Sequence, residues 1–334
     1  MLSSTFTKLN ILNSPIGLNF WSIIKKSNQI DSVVVYSISN EYPPPNCPIV
    51  MNSMLDNEIK KALHYFSFFK HALSLEELHF YLGCKVDLQN LRLILDELIG
   101  KGEVYAEAGW FALEKSHLDK KSKYLDLNKH RMRQARIIGA LIYCFPFVRG
   151  VYLSGSLSKW GIQSRDDDID FFILTASNRV WTAKLYLIAF KKIFLFNSQK
   201  YFCINFLLDQ QRLELSKRNK YTATELVSLI PIKDCGGLAD LWAANPWTKS
   251  YFPNASFKAN TTNKRMKNRI SERLSNFLFG NRLEDWARQK FTVHMQEHTD
   301  QEEGYYEAEP HTSAYFPQSI ELRLLSHLEN FKNE

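Results

Sequence analysis

The chain has 334 residues, more than one average domain and fewer than three large ones, so we expect two domains with extensions. Its 45% apolar and 13% aromatic residues can supply hydrophobic cores, which excludes collagen-like and low-complexity chains. Five widely spaced cysteines without zinc-ligand spacing favour reduced thiols and a cytoplasmic protein. Because Lys191 and Lys192 interrupt the longest apolar stretch, the sequence predicts no membrane span and no membrane partner.

Residues 1–54 have the composition of neither a folded core nor a targeting peptide. Residues 1–30 contain no acidic residue and three lysines, and residues 42–48 contain four prolines. The segment has no arginine, no compact apolar region beside a basic start and no small-residue cleavage site. We expect a poorly structured leader or an upstream extension, with Met51 or Met54 as the hypothetical native start.

The next segment predicts three short helices and a β-hairpin. Apolar residues at helical spacing begin at Leu55, and a second helix opens where Ser74 and Glu77 form a capping box. A third helix begins near Asp87, and residues 103–113 alternate around a glycine turn. These elements indicate a small independent unit.

Residues 55–113 resemble a winged helix, a family in which the third helix commonly enters the DNA major groove. However, six basic and nine acidic residues give this segment a net charge of −3. Because phosphate contacts supply most non-specific DNA affinity, we expect packing or partner contact here rather than binding to duplex DNA. Residues 114–136, with a net charge of +5, are expected to be a basic connector.

The most informative segment follows this connector. A short strand at 151–153 leads into a tight turn with Gly155 and Ser156, whose amides and hydroxyl suit a phosphate. Asp168 and Asp170 are two residues apart at the start of a second strand, so both carboxylates point to one face. Such a pair can hold one or two Mg²⁺ ions that bridge nucleotide phosphates, which predicts phosphoryl or nucleotidyl transfer.

This pattern resembles the nucleotidyltransferases of the DNA polymerase beta superfamily. Its parts are an apolar strand, Gly-Ser, a loop and Asp-x-Asp before a second apolar strand: Val151-Tyr152-Leu153, Gly155-Ser156, Asp168-Ile169-Asp170 and Phe171–Leu174. The resemblance covers residues 137–245 and implies an α+β fold. That fold is an α/β nucleotidyltransferase core with a small mixed sheet, preceded by the winged-helix-like domain and followed by a helical extension at 246–334.

The resemblance also implies roles. Asp168 and Asp170 would bind Mg²⁺, Gly155 and Ser156 would hold the triphosphate of an NTP, and an acceptor hydroxyl would attack the α-phosphate. Lys159 and Arg165 could neutralise phosphate charge from the loop, or they could simply be exposed to solvent.

One feature departs from the family. Its members usually carry a third carboxylate on the third strand, which here spans residues 201–209. The mid-strand polar residue is Asn205, and Asp209 lies at the end of the strand. Asp209 could take the role after local bending, the site could work with two carboxylates and Asn205 as a neutral ligand, or catalysis has been lost. We prefer the second alternative because Asn205 has the expected depth along the strand.

Two later patterns bear on the site and on the carboxyl-terminal extension. Thr222 and Glu225 have capping-box spacing, which favours a helix cap over catalysis. Beyond residue 263, basic residues alternate at helical spacing with an apolar stripe, interrupted at Gly280. For the basic face, exposure to solvent is favoured over contact with a polyanionic acceptor or with the acidic residues 297–309.

The sequence therefore predicts a cytoplasmic, Mg²⁺-dependent nucleotidyltransferase with Asp168, Asp170 and Asn205 as catalytic residues. The acceptor stays open among a small molecule, a protein side chain and a nucleic-acid end, because the superfamily shares its metal site and varies its acceptor pocket. Two alternatives remain: a nucleotide-binding protein without turnover, and a winged-helix DNA-binding regulator. The sequence does not specify the base of the NTP or the oligomeric state.

Overall fold

The protein is described by a computed structural model that covers residues 52–194, 202–256, 270–299, 305–316 and 318–331. The predictions for residues 1–51, including the leader, lie outside the described residues, as does the side chain of Asn205. All the described residues belong to one compact unit.

The amino-terminal part contains the three helices and the hairpin that the sequence predicts. In chain order its elements are α1 (Asn52–Ser67), β1 (Leu73–Ser74), α2 (Leu75–Phe80), α3 (Leu88–Gly100), β2 (Tyr105–Glu107) and β3 (Trp110–Ala112). The strands form an antiparallel sheet in the order β1-β3-β2. The predicted capping box is confirmed, since the Glu77 amide donates to Ser74 Oγ at 3.1 Å and the Ser74 amide donates to Glu77 Oε2 at 2.9 Å.

The basic segment 114–136 is helical from Lys115 onwards. It belongs to one 29-residue helix, α4 (Lys115–Tyr143), which continues into the apolar stretch before the sheet. The helix buries Lys121, Asn128 and Arg131. These side chains are buried because each has a hydrogen-bond partner inside the protein: His71 for Lys121, the backbone of Ile162 for Asn128, and the Asp167 carbonyl for Arg131.

A six-stranded mixed sheet forms the centre of the remaining chain. The elements before its parallel pair are β4 (Val148–Leu153), the one-turn helix α5 (Gly155–Ser158), β5 (Asp170–Thr175) and α6 (Val180–Phe194). They are followed by β6 (Cys203–Asp209), α7 (Lys220–Val227), β7 (Ile230–Lys233), α8 (Gly237–Ala244), α9 (Ile270–Thr299), β8 (Tyr305–Glu309), β9 (Thr312–Phe316) and α10 (Gln318–Asn330). The strand order is β7-β4-β5-β6-β9-β8, and among the described strands only β5 and β6 pair in parallel. The predicted α+β class is confirmed.

Both faces of the central strands are covered. Alternate residues of β5 divide between two cores: Phe171 and Ile173 pack with Trp181 of α6, whereas Phe172 and Leu174 pack on the opposite side with α8. This burial on both faces explains why β5 reads as a continuous apolar run in the sequence. The run begins directly after Asp170, so the sheet holds that carboxylate at a fixed edge.

The predicted interruption of the helical stretch at Gly280 is confirmed. Gly280 has a non-helical backbone, with φ 55° and ψ −138°, and forms a kink within α9, which continues beyond it. Glycine tolerates this positive φ because it has no Cβ. Among the described residues, no helix combines the length and the apolar character needed to cross a membrane.

Candidate functional site

The two predicted carboxylates lie where β5 begins. Asp170 is the first residue of the strand, and Asp168 precedes it by two positions. Ile169 between them is fully buried, whereas both aspartates are partly exposed. The backbone therefore turns both aspartates away from the core side that Ile169 occupies, as the alternation of an extended chain requires.

Gly155 lies directly against this edge of the sheet. It has a left-handed backbone, φ 64°, and a Cβ added to it would lie 2.9 Å from Cγ of Asp170, with Oδ2 of the same carboxylate nearer still. Real Cβ atoms essentially never approach another heavy atom to less than 3.0 Å. Glycine is thus required here twice, for its conformation and for the close approach of the carboxylate.

Ser156 is exposed and opens the turn that follows Gly155. Its carbonyl accepts hydrogen bonds from the amides of Lys159, at 3.1 Å, and Gly161, at 2.9 Å. The segment that the sequence assigned to phosphate binding is therefore a closed turn beside the aspartates, with the Ser156 side chain on its surface.

The environment of Asp170 disfavours its charged form. Burial, assisted by the negative charges of Glu225 and Asp168, raises the pKa of this carboxyl group to about 6. A hydrogen bond with the thiol of Cys203 and the positive charge of Lys159 act in the opposite direction. Unbalanced negative charge of this kind is a favourable environment for a cation.

Lys159 is already engaged by protein groups. Its ammonium group donates to the carbonyl oxygen of Gly155 at 2.8 Å and lies 2.9 Å from Oε1 of Glu225, and its side chain is only 10% exposed. The structure thus brings Lys159 to the site but pairs its charge with a carboxylate. A role in phosphate binding stays a prediction and requires Glu225 to share this cation.

Glu225 belongs to the site, although its spacing from Thr222 predicts a role in a helix cap. The predicted capping box at Thr222 is wrong, because the N-cap of α7 is Asn219, three residues earlier, which accepts a 2.8 Å hydrogen bond from the Thr222 amide. Glu225 instead faces Lys159 across the site. The local spacing of Thr222 and Glu225 gave no signal of this long-range contact.

The loop between the turn and the aspartates is held by α4. The side-chain amide of Asn128 exchanges two hydrogen bonds with the backbone of Ile162, at 2.9 and 3.1 Å. Arg131 donates to the carbonyl oxygens of Arg165 and Asp167, the latter at 3.0 Å. Arg165 itself lies on the exposed part of the loop, so its predicted phosphate contact also stays a prediction.

Asp209 is not brought to this site. In the parallel ladder Asp170 pairs with Cys203, whereas Asp209 pairs with Thr175, five residues along β5 and therefore about 16 Å away. The fully buried Asp209 carboxylate accepts hydrogen bonds from the amides of Asn178, at 2.7 Å, and Gln211, at 2.9 Å, and lies 2.9 Å from Nδ1 of His311. The suggestion that bending brings it into a metal site is corrected: it stabilises the far end of the sheet.

Asn205 lies at an irregularity in β6. Ile204 pairs with Phe171 and Phe206 pairs with Phe172, which leaves Asn205 as the extra residue of a bulge. The bulge places Cys203 beside Asp170, and burial together with the Asp170 charge raises the pKa of the Cys203 thiol well above its usual range. Cys203 is therefore a residue of β6 that contacts the Asp170 carboxylate. The sequence did not predict this contact, because alternation along a regular strand does not include the bulge.

The described part of the chain contains no group of three or more His, Cys, Asp or Glu side chains arranged to hold a metal ion. Comparisons with protein-family models, curated proteins and solved structures yield no match for this chain. A functional assignment therefore depends on the site itself.

Proposed function

We propose that the protein is a Mg²⁺-dependent nucleotidyltransferase that transfers a nucleoside monophosphate from an NTP to a hydroxyl acceptor. The observation that carries this proposal is the juxtaposition of two partly exposed aspartates at the start of a buried strand with a left-handed glycine packed on one of their carboxylates. Asp168 and Asp170 are the ion-binding groups in this proposal. Gly155 sets the position of the second.

The order of the elements supports the superfamily resemblance. A helix, a strand, a short turn of helix, an antiparallel strand, a second helix and a parallel strand follow one another through α4, β4, α5, β5, α6 and β6. The amino-terminal order of helices and strands, with its three-stranded sheet, likewise supports a winged-helix-like unit. Both assignments belong to the proposal.

The residues present fit a magnesium ion that keeps much of its coordination for substrate. Mg²⁺ is commonly bound by one or two carboxylates together with substrate phosphates and water, so a third protein carboxylate is not required. When bound, the ion would neutralise charge on the triphosphate. The chain itself contributes the fixed edge of β5, the restrained loop held by Arg131, and the Lys159 cation next to the turn.

The direct test is incubation with each labelled NTP and Mg²⁺ in the presence of lysate, with wild type compared with Asp168→Asn/Asp170→Asn. Asp166→Asn is the matched control, since Asp166 lies in the same acidic run on the exposed loop. We expect label on an acceptor with wild type and the control, and none with the double variant. Equal labelling with all three proteins would refute the proposal.

A nucleotide-binding protein without turnover is the second candidate. It is favoured by strand β6, where family members usually carry a third carboxylate that assists deprotonation of the acceptor: here Cys203 pairs with Asp170, and Asp209 lies at the far end of the strand. Mg²⁺-dependent NTP binding without release of pyrophosphate, and without any labelled acceptor, would identify this function. Loss of NTP binding in Asp168→Asn/Asp170→Asn would then separate site-specific binding from non-specific binding.

The DNA-binding alternative receives less support. On α3 the exposed Arg92 is paired with Asp96 at 3.0 Å, so the helix that would enter a major groove presents a neutralised cation. Salt-dependent binding of the full chain to duplex DNA, reduced by Arg92→Gln, would revive this alternative.

A further inference from the structure

Helix α7 is fixed by contacts with both the amino-terminal core and the sheet. Ala223 and Val227 pack with residues of α1, α2 and α3, and Leu226 packs with residues of β5. The cap of the helix is also held, because the side-chain amide of Asn219 donates to Oε1 of Glu321 in α10 at 2.6 Å. The start of α7 and its rotation about its own axis are therefore both defined.

Glu225 extends from this fixed helix to the candidate site. Its Oε1 lies 2.9 Å from Nζ of Lys159, and the same nitrogen donates to the carbonyl oxygen of Gly155 at 2.8 Å. Gly155 is in turn the residue that packs on the Asp170 carboxylate. The Glu225 side chain is 27% exposed whereas that of Lys159 is 10% exposed, so a substrate can reach the carboxylate.

The electrostatics of the site support this proximity. The charge of Glu225 raises the pKa of Asp170 more than the charge of Asp168 does, although Asp168 is only two residues away in the chain. Glu225 is thus a third carboxylate of the site, contributed by α7 and not by β6. In the described part of the chain, however, no three such side chains are arranged to hold one metal ion. We therefore assign Glu225 no part in holding the ion.

We infer that Glu225 is the general base of the reaction, an inference that rests on the nucleotidyl transfer proposed above. Its carboxylate takes the proton of the acceptor hydroxyl while the hydroxyl oxygen forms a bond to the α-phosphorus of the NTP. The bond from the α-phosphorus to the oxygen that bridges to the β-phosphorus breaks, and its electron pair leaves with pyrophosphate. A general base typically accelerates such a step by about 10²–10⁴-fold.

Lys159 links this base to the binding of the NTP. A cation beside a carboxylate stabilises the charged form and so makes the carboxylate a weaker base. The phosphates of a bound NTP compete with Glu225 for the Lys159 ammonium group, which is already at the turn. Glu225 is then released to accept a hydrogen bond from the acceptor hydroxyl.

The test compares Glu225→Gln with wild type, using the labelled NTP that gives the most labelled acceptor in lysate. Glutamine keeps the size of the side chain and an oxygen for Lys159, but it cannot take up the proton. We expect labelling of the acceptor to slow at least about a hundredfold, whereas Mg²⁺-dependent NTP binding, measured by calorimetry, is retained. Glu58→Gln is the matched control, since Glu58 in α1 is 21% exposed and pairs with Lys61 at 2.8 Å. It should bind and label as wild type does.

A second variant distinguishes a base from a carboxylate that only holds Lys159 in place. Glu225→Ala removes the carboxylate and leaves space that formate, a small carboxylate, can occupy. We expect sodium formate to restore part of the labelling by this variant. Sodium chloride at the same ionic strength should not restore it, because chloride is too weak a base to take the proton.

Failure of this inference and failure of the proposed function give different results. Absence of labelling by wild type would refute nucleotidyl transfer, and the base with it. Labelling by Glu225→Gln at the wild-type rate, with none by Asp168→Asn/Asp170→Asn, would overturn only the base. Loss of NTP binding in Glu225→Gln, or equal labelling by Glu225→Ala in formate and in chloride, would assign Glu225 a structural role and also overturn the inference.

Discussion

Replacing Gly155 by alanine tests the geometry of the candidate site most directly. The new Cβ would lie 2.9 Å from Cγ of Asp170, whereas ordinary contact begins at 3.4 Å, so the carboxylate must move by at least 0.5 Å. A misplacement of about 1 Å can reduce a reaction rate by about a hundredfold, so half of that predicts at least about a tenfold loss. The left-handed backbone adds about 1–2 kcal/mol of destabilisation for any residue with a Cβ.

Gly102→Ala separates these two effects. Gly102 also has a positive φ, 76°, but nothing lies within 4 Å of its added Cβ. Both variants should therefore lose about 1–2 kcal/mol of unfolding free energy in urea titrations. Only Gly155→Ala should also weaken Mg²⁺-dependent NTP binding, which calorimetry measures. It should likewise slow nucleotide transfer, measured with the labelled NTP that gives the most labelled acceptor with wild type.

The result that would refute this reasoning is equally specific. If Gly155→Ala binds Mg²⁺ and NTP as tightly as Gly102→Ala and transfers the nucleotide at the same rate, the contact between Gly155 and Asp170 does not position a functional carboxylate. If Gly155→Ala is as stable as wild type, the left-handed conformation does not require glycine at this position, and the stability argument is refuted.

Three further predictions concern buried polar groups. Burial lowers the pKa of Lys184 to about 7, so the folded chain loses this proton at a lower pH than the unfolded chain. Lys184→Met should therefore raise the free energy of unfolding most below pH 7, and this gain should diminish as the pH rises towards 10, as measured by urea titrations. Glu284→Ala leaves two helix amides unpaired and should cost about 2 kcal/mol or more of unfolding free energy, unlike Asp285→Ala on the exposed side. Arg131→Met should speed hydrogen exchange in the loop before Asp168 while α1 stays protected; unchanged exchange there would contradict the anchoring role.

Local patterns in the sequence were sufficient for the elements that depend on neighbouring residues. The capping box at Ser74, the cap of α3 at Asp87 and the apolar strand after Asp170 follow from side chains that act within a few positions of themselves. Asp168, Asp170 and Gly155 could be predicted as neighbours for the same reason, because their short separation along the chain limits the geometries that they can adopt.

Long-range pairing decided the rest of the site. The bulge at Asn205 shifts β6 by one residue and brings Cys203 to Asp170, and alternation alone cannot register such a shift. Glu225 reaches Lys159 across 66 positions of sequence, so its spacing from Thr222 carried no information about that contact. Asp209 has the correct residue type but lies at the wrong end of its strand.

The sequence alone determined that α9 is amphipathic, because periodicity depends only on the order of residues. Which side of the helix faces the protein was decided by tertiary structure. Glu272 and Glu284 find an arginine and unpaired backbone amides on neighbouring elements, and these charge-assisted hydrogen bonds turn the acidic side inward. The apolar stripe, which includes Ile270, Leu274, Phe277 and Leu278, is therefore exposed for a reason that lies in β4 and α6, not in the helix itself.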